Sequence, residues 1–128
     1  MLTDNHFHNS ILLLSFLITN ADGVLDDHEL EAMGKICSYE KIKDSALINF
    51  VKGIPSLSER EVYEKGIEEI SHCSDEEKVR VFAWLHRLSE ADGDVHVKEV
   101  RFLLYSIKKA GIEFEDVLKK SEEFPSLA

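Results

Sequence analysis

Two acidic segments of similar sequence hold most of the side chains that could do chemistry in this chain. The first is Ala21–Leu30 and the second is Ala91–Val100, seventy residues later (91 − 21 = 70). Each contains Ala-Asp-Gly, an apolar residue two positions after the glycine, and a glutamate seven positions after the aspartate. Glycine tolerates the positive φ of a tight turn, so each segment predicts a helix, an acidic turn and a second helix.

The chemistry that these segments suggest is the binding of a divalent cation. Ca²⁺ takes roughly 6–8 oxygen ligands, and Mg²⁺ needs about six that include several waters, so one turn offers too few. Two turns brought together would offer enough carboxylates for one shared Ca²⁺ or Mg²⁺ site. The predicted ligands are Asp22, Asp26, Glu29, Asp92, Asp94 and Glu99, with Gly23 and Gly93 as the structural turn residues.

Neither segment is expected to be an independent EF-hand, although the first follows much of that pattern. The first ligand position of an EF-hand loop needs an aspartate. Ile18 stands there in the first copy and Leu88 in the second. Both are predicted to be core residues of their helices, so the ligand set would have to come from both segments.

A purely structural interpretation of the segments stays open. In it, Asp-Gly forms the turn, the apolar Leu25 or Val95 packs on the core, and the glutamate caps the next helix. This interpretation explains the first copy better than the second. The residue three positions before Glu99 is His96, which is not a capping-box residue.

The composition predicts one cytoplasmic domain over residues 1–128. With 44% apolar residues the chain can bury a core, and its net charge of −10 argues against nucleic acid and against an anionic membrane surface. Cys37 and Cys73 lack the spacing of a zinc or redox motif and are predicted to be reduced core residues. The apolar run of residues 11–18 is too short to span a bilayer.

Helical spacing of apolar residues predicts an all-α fold, a compact bundle of about seven helices. The expected central helix covers about residues 4–20, and Gly111 is expected to end the sixth helix. Adding 70 maps six apolar positions of the first two helices onto apolar positions of the fifth and sixth, which predicts two helix hairpins related by a pseudo-twofold axis. In the final helix, Phe114, Val117 and Leu118 are the predicted anchors.

The doubled Ala-Asp-Gly motif on an all-helical chain resembles the TerB-like family, over roughly residues 8–112. That family includes a tellurite-resistance protein and the N-terminal domain of certain membrane-anchored DnaJ-like co-chaperones. The resemblance implies a bundle of about seven helices, a link to bacterial stress responses, and a cation site at the paired acidic motifs. The motif positions carried over are Asp22, Gly23, Glu29, Asp92, Gly93 and Glu99.

The function expected from the sequence is therefore that of a non-enzymatic cytosolic domain with a shared divalent-cation site. The sequence contains no nucleophile with an adjacent histidine and no phosphate-binding glycine loop, so neither of these motifs indicates an enzyme. The alternative is a protein–protein interaction module that docks a protein partner on its acidic surface, with the acidic turns purely structural.

Overall fold

A computed structural model of the chain describes residues 5–19, 27–53, 57–92 and 105–127. Every regular element within these ranges is an α-helix, so the predicted all-α bundle is confirmed. No helix in these ranges is both long and apolar enough to cross a membrane. The helices are α1 (His6–Thr19), α2 (Asp27–Tyr39), α3 (Asp44–Gly53), α4 (Glu59–Ser71), α5 (Asp75–Asp92), α6 (described over 105–109) and α7 (Phe114–Glu123).

Helix α1 lies at the centre of the bundle and packs against both α4 and α5. Ile11, Leu12, Leu13 and Leu14 project in four directions around its axis, and each is at most 2% exposed. A helix that is apolar on all sides must be covered on all sides. The central position predicted for this helix is confirmed.

Helices α1 and α4 run antiparallel. Near the start of α1, His6 pairs with Glu69 close to the end of α4. Further along α1, Leu14 lies against Gly66, where an added Cβ would come within 2.7 Å of the Leu14 Cδ2 atom. Glycine at this position lets the two backbones approach closely.

Helix α5 packs against α1, and the two helices begin on the same side of the bundle. The turn after α4 has only three residues and ends in a capping box, in which Glu77 N–H donates to Ser74 Oγ at 3.2 Å and Ser74 N–H to Glu77 Oε1 at 2.9 Å. Ser10 in α1 also contacts Cys73 in that turn, at 3.7 Å. A second capping box begins α4, where Glu61 N–H donates to Ser58 Oγ at 3.2 Å and Ser58 N–H to Glu61 Oε1 at 3.3 Å.

The 70-residue repeat is also visible in the residues that end α2 and α6. Lys41 after α2 and Gly111 after α6 both have positive φ, 61° and 76°. Each is followed by an isoleucine N–H that reaches back five residues, Ile42 to the Cys37 carbonyl at 2.8 Å and Ile112 to the Ile107 carbonyl at 3.4 Å. The two sets are again separated by 70 residues (111 − 41 = 70). The predicted role of Gly111 is confirmed.

The repeat extends to a third helix in each unit, beyond the two-helix hairpins predicted from the sequence. Helices α3 and α7 both have ten residues, and their starts are 70 residues apart (114 − 44 = 70). In their first turns Leu47 N–H donates to the Lys43 carbonyl, and Val117 N–H donates to the Glu113 carbonyl. The pair of predicted hairpins is thus a pair of three-helix units, and α4 is inserted between them.

Helix α7 packs on α5, but only one of its predicted anchors is fully buried. Val117 is 0% exposed, whereas Phe114 is 36% exposed because it lies in the first turn at the rim of the bundle. Leu118 is half-buried. The stronger anchors follow the helix, where Phe124 is 3% and Leu127 2% exposed.

Substitutions at the two positive-φ residues, Gly111 and Lys41, should change the free energy of unfolding in opposite directions. The left-handed conformation costs a residue with a Cβ about 1–2 kcal/mol. We expect Gly111→Ala to lower the free energy of unfolding by about 1 kcal/mol, because nothing else lies within 4 Å of the added methyl group. Lys41→Gly should raise it, by less than about 1 kcal/mol, since glycine also loosens the unfolded chain.

Urea unfolding of the single variants measures both effects. Gly34→Ala is the matched control, because Gly34 lies inside α2, has open space around it and gains helix propensity, about 0.5–1 kcal/mol. Stabilisation by Gly111→Ala would show that the left-handed conformation does not control this helix end.

Candidate functional site

Most of the predicted cation ligands lie outside the described residues. These are Asp22, Asp26, Asp94 and Glu99, together with the turn residues Gly23 and Gly93. Of the other two ligands, Glu29 is in the first turn of α2 and half-buried, and Asp92 is the last residue of α5. The ligand set as a whole therefore stays a prediction.

The helices that lead into the two acidic segments end on the same side of the bundle. Helix α1 ends at Thr19 and α5 at Asp92. The two helices pack against each other and begin on the same side of the bundle, so both also end on its other side. A cation site shared by the two segments needs this arrangement, because its ligands come from both.

Elsewhere in the described part of the chain, the acidic and histidine side chains do not form a metal centre. No group of three or more His, Cys, Asp or Glu residues there could hold an ion. The His6 ring stacks on His72 with centroids 4.5 Å apart, and its Nδ1 atom pairs with Glu69. These contacts tie the start of α1 to the end of α4.

The most buried charged group with its ion pair described is the carboxylate of Glu40, whose side chain is 5% exposed. Both of its oxygens accept hydrogen bonds from the Arg80 guanidinium, and Oε2 also accepts from Trp84 Nε1 at 2.8 Å. The bonds to Glu40 raise the pKa of Arg80. A charge this deep is stable only when it is paired and hydrogen-bonded, so the cluster is a structural clamp between the end of α2 and α5.

The segment that follows α7 packs against the same clamp through Phe124. The Phe124 ring stacks on Trp84, with centroids 4.0 Å apart and planes 8° from parallel. Tyr39 packs edge-on against both rings. Arg87 donates to the carbonyls of Ser121 and Phe124, at 2.7 and 3.0 Å. The segment after α7 is thus held by rings and by main-chain hydrogen bonds.

The cysteines are free and buried, as the sequence predicted for core residues. Burial raises the pKa of Cys37 to about 11, and Asp44 contributes in the same direction. Burial also raises the pKa of Cys73. Both thiols are therefore protonated at neutral pH, which makes them poor nucleophiles and poor metal ligands. His8 has a lowered pKa because burial disfavours its charged form.

Sequence reasoning missed the Glu40 clamp. Glu40 follows the last turn of α2 and has the local pattern of a solvated helix end. Its partners Arg80 and Trp84 are 40 and 44 residues away. No short-range spacing links them, and the only signal available was an arginine and a tryptophan four positions apart, on one face of α5.

Comparison of the chain with protein-family models, with curated proteins and with solved structures finds no match.

Proposed function

We propose that the protein is a non-enzymatic TerB-like domain of the bacterial cytoplasm, and that its two acidic segments bind one divalent cation. The observation that supports this proposal is the packing of α1 against α5, because the two helices begin side by side and each precedes one acidic segment. The proposed ligands are those predicted from the sequence: Asp22, Asp26, Glu29, Asp92, Asp94 and Glu99.

Repulsion among the carboxylates of the metal-free site favours the binding of a cation. Two carboxylates 4 Å apart repel by roughly 4 kcal/mol at an effective dielectric constant near 20. The chain carries 25 acidic against 15 basic residues, so little positive charge is at hand to relieve that repulsion. A bound Ca²⁺ or Mg²⁺ relieves it and joins the two halves of the bundle at this end.

The test is thermal and urea unfolding of the full chain with Ca²⁺, with Mg²⁺ and with chelator. An ion at about 100 times its dissociation constant should stabilise the fold by about 2.7 kcal/mol. The double variant Asp22→Asn with Asp92→Asn should lose this gain. Without metal it should be at least as stable as the natural chain, because repulsion is removed together with the ligands.

A matched control is Asp75→Asn with Asp116→Asn, which removes two exposed aspartates from the first turns of α5 and α7. It should keep the full response to the ion. A flat response of the natural chain to both ions, together with a destabilised Asp22/Asp92 variant, would refute the cation site.

If the cation site is refuted in this way, the alternative function is that of a protein–protein interaction module. The observation in favour of this alternative is the exposure of large apolar side chains, Ile48 at 52% and Tyr105 at 59%. Exposed apolar surface is a feature of docking sites for other proteins.

A further inference from the structure

A cleft with a volume of about 110 Å³ opens between α4, α5 and α6. It is lined by residues at the end of α4 and by Lys78 near the start of α5, so it lies away from the acidic segments. A cavity of about 150 Å³ accommodates benzene, and liquid water takes about 30 Å³ per molecule. The cleft therefore has room for a molecule of about four or five heavy atoms.

One wall of the cleft carries a buried hydroxyl group without a partner. Ser106 is 1% exposed, and its Oγ atom makes no hydrogen bond in the described structure. Buried polar side chains nearly always have a hydrogen-bond partner, so this hydroxyl is available to a water or to a ligand in the cleft.

The repeat shows that the fold does not need this serine. The position equivalent to Ser106 in the first unit is Ile36 (106 − 70 = 36), which is 0% exposed. The equivalent of Ala110 is Glu40 (110 − 70 = 40), whose side chain fills the clamp against α5. The second unit has a smaller side chain at both positions, and both residues line the cleft.

Two lysines give the cleft a positive charge on an otherwise acidic protein. Lys78 and Lys109 both line it. Neither forms an ion pair with a carboxylate in the described ranges, whereas Lys120 pairs with Glu123 at 3.1 Å. A negatively charged ligand would meet two ammonium groups that no carboxylate of the described residues neutralises.

The rest of the lining is apolar apart from Ser71, whose hydroxyl donates to the Glu68 carbonyl at 2.6 Å. Ile67, Ile70 and Ala110 contribute hydrocarbon surface. The carbonyls of the nearby helix ends are already engaged, since Cys73 N–H donates to the Ile70 carbonyl at 3.1 Å and Ala110 N–H to the Ser106 carbonyl at 2.9 Å. A fully hydrated ion such as phosphate would lose water against the isoleucines, whereas a short hydrocarbon tail fits against them.

We propose that this cleft binds a small aliphatic carboxylate. The carboxylate lies between Lys78 and Lys109 and accepts a hydrogen bond from Ser106 Oγ. The hydrocarbon tail, one or two carbons long by the volume of the cleft, packs on Ile67 and Ile70. This site is independent of the proposed cation site, so each is tested without the other.

The test is a titration of the ¹⁵N-labelled full chain with propionate, followed by NMR. We expect saturable shifts confined to the amides around 67–71, 78 and 106–110, with a dissociation constant on the order of 1 mM for so small a ligand. Lys78→Gln with Lys109→Gln should weaken binding at least about tenfold, because two charge-assisted contacts are lost. Ser106→Ala should weaken it several-fold.

The matched controls are Lys108→Gln and propionamide. Lys108 is exposed on the same helix and does not line the cleft, so its variant should bind propionate like the natural chain. Propionamide has the same shape without the charge and should not bind. Equal affinity for propionamide or for inorganic phosphate, an unchanged affinity in the double lysine variant, or no saturable shift up to about 50 mM propionate would each overturn the proposal.

Discussion

Phe124→Ala should lower the free energy of unfolding by about 3–5 kcal/mol. The Phe124 ring is 3% exposed, stacks on Trp84, and has the Arg80 guanidinium 5.3 Å from its centroid. Its loss leaves a cavity between α5 and the end of the chain, and it removes the surface against which Tyr39 packs. Far-UV circular dichroism during urea unfolding measures the effect.

Phe114→Ala is the control, because it removes the same side chain from the other end of α7. Phe114 is 36% exposed, and among the described residues its ring contact is His86, with centroids 6.2 Å apart. Its truncation should cost less than about 1 kcal/mol. Similar losses for the two variants would mean that the segment after α7 does not dock on Trp84 in solution.

Deletion of residues 112–128 should have a larger effect than Phe124→Ala. It removes Val117, Phe124 and Leu127 together, and full burial of one such side chain is worth about 1.5–3 kcal/mol. The deletion also exposes Trp84, which is otherwise 0% exposed. A red shift of the emission of this single tryptophan should therefore accompany the lower melting temperature.

Arg80→Met should lower the free energy of unfolding by about 3 kcal/mol or more. Among the described residues, the variant leaves the Glu40 carboxylate, 5% exposed, with the Trp84 Nε1 donor at 2.8 Å and without its arginine partner. A buried charge without its partner costs more than the pair itself contributes. Urea unfolding at pH 7 measures the loss.

Adding Glu40→Gln to Arg80→Met should restore much of the stability. The amide carries no charge and still accepts the hydrogen bond from Trp84, so the main cost of Arg80→Met is removed. Arg60→Met is the control on an exposed pair, whose side chains are 87% and 59% exposed, and it should change stability by less than about 1 kcal/mol. If the double variant is no more stable than Arg80→Met alone, the loss comes from packing of the arginine stem and not from the stranded charge.

The local pattern of the sequence was sufficient to predict the helices and several of their ends. Apolar spacing predicts α1 as the central helix, and Ser-x-x-Glu boxes predict the starts of α4 and α5, because capping uses residues three positions apart. Gly111 predicts the end of α6 because only glycine adopts positive φ without cost. Lys41, the equivalent residue after α2, also has positive φ, but a lysine gives no sequence signal for this conformation.

The candidate sites also differ in whether the sequence alone reveals them. The paired acidic segments are visible in the sequence because a turn places its ligands a few positions apart. The Glu40 clamp and the Ser106 cleft are not, because each forms from residues that meet only when α2, α5 and α7, or α4, α5 and α6, pack together. Spacing along the chain determined the helices, their caps and the repeat. Which polar groups became buried, and which cleft stayed open, depended on side-chain volumes across helices, a long-range property that only the tertiary structure decides.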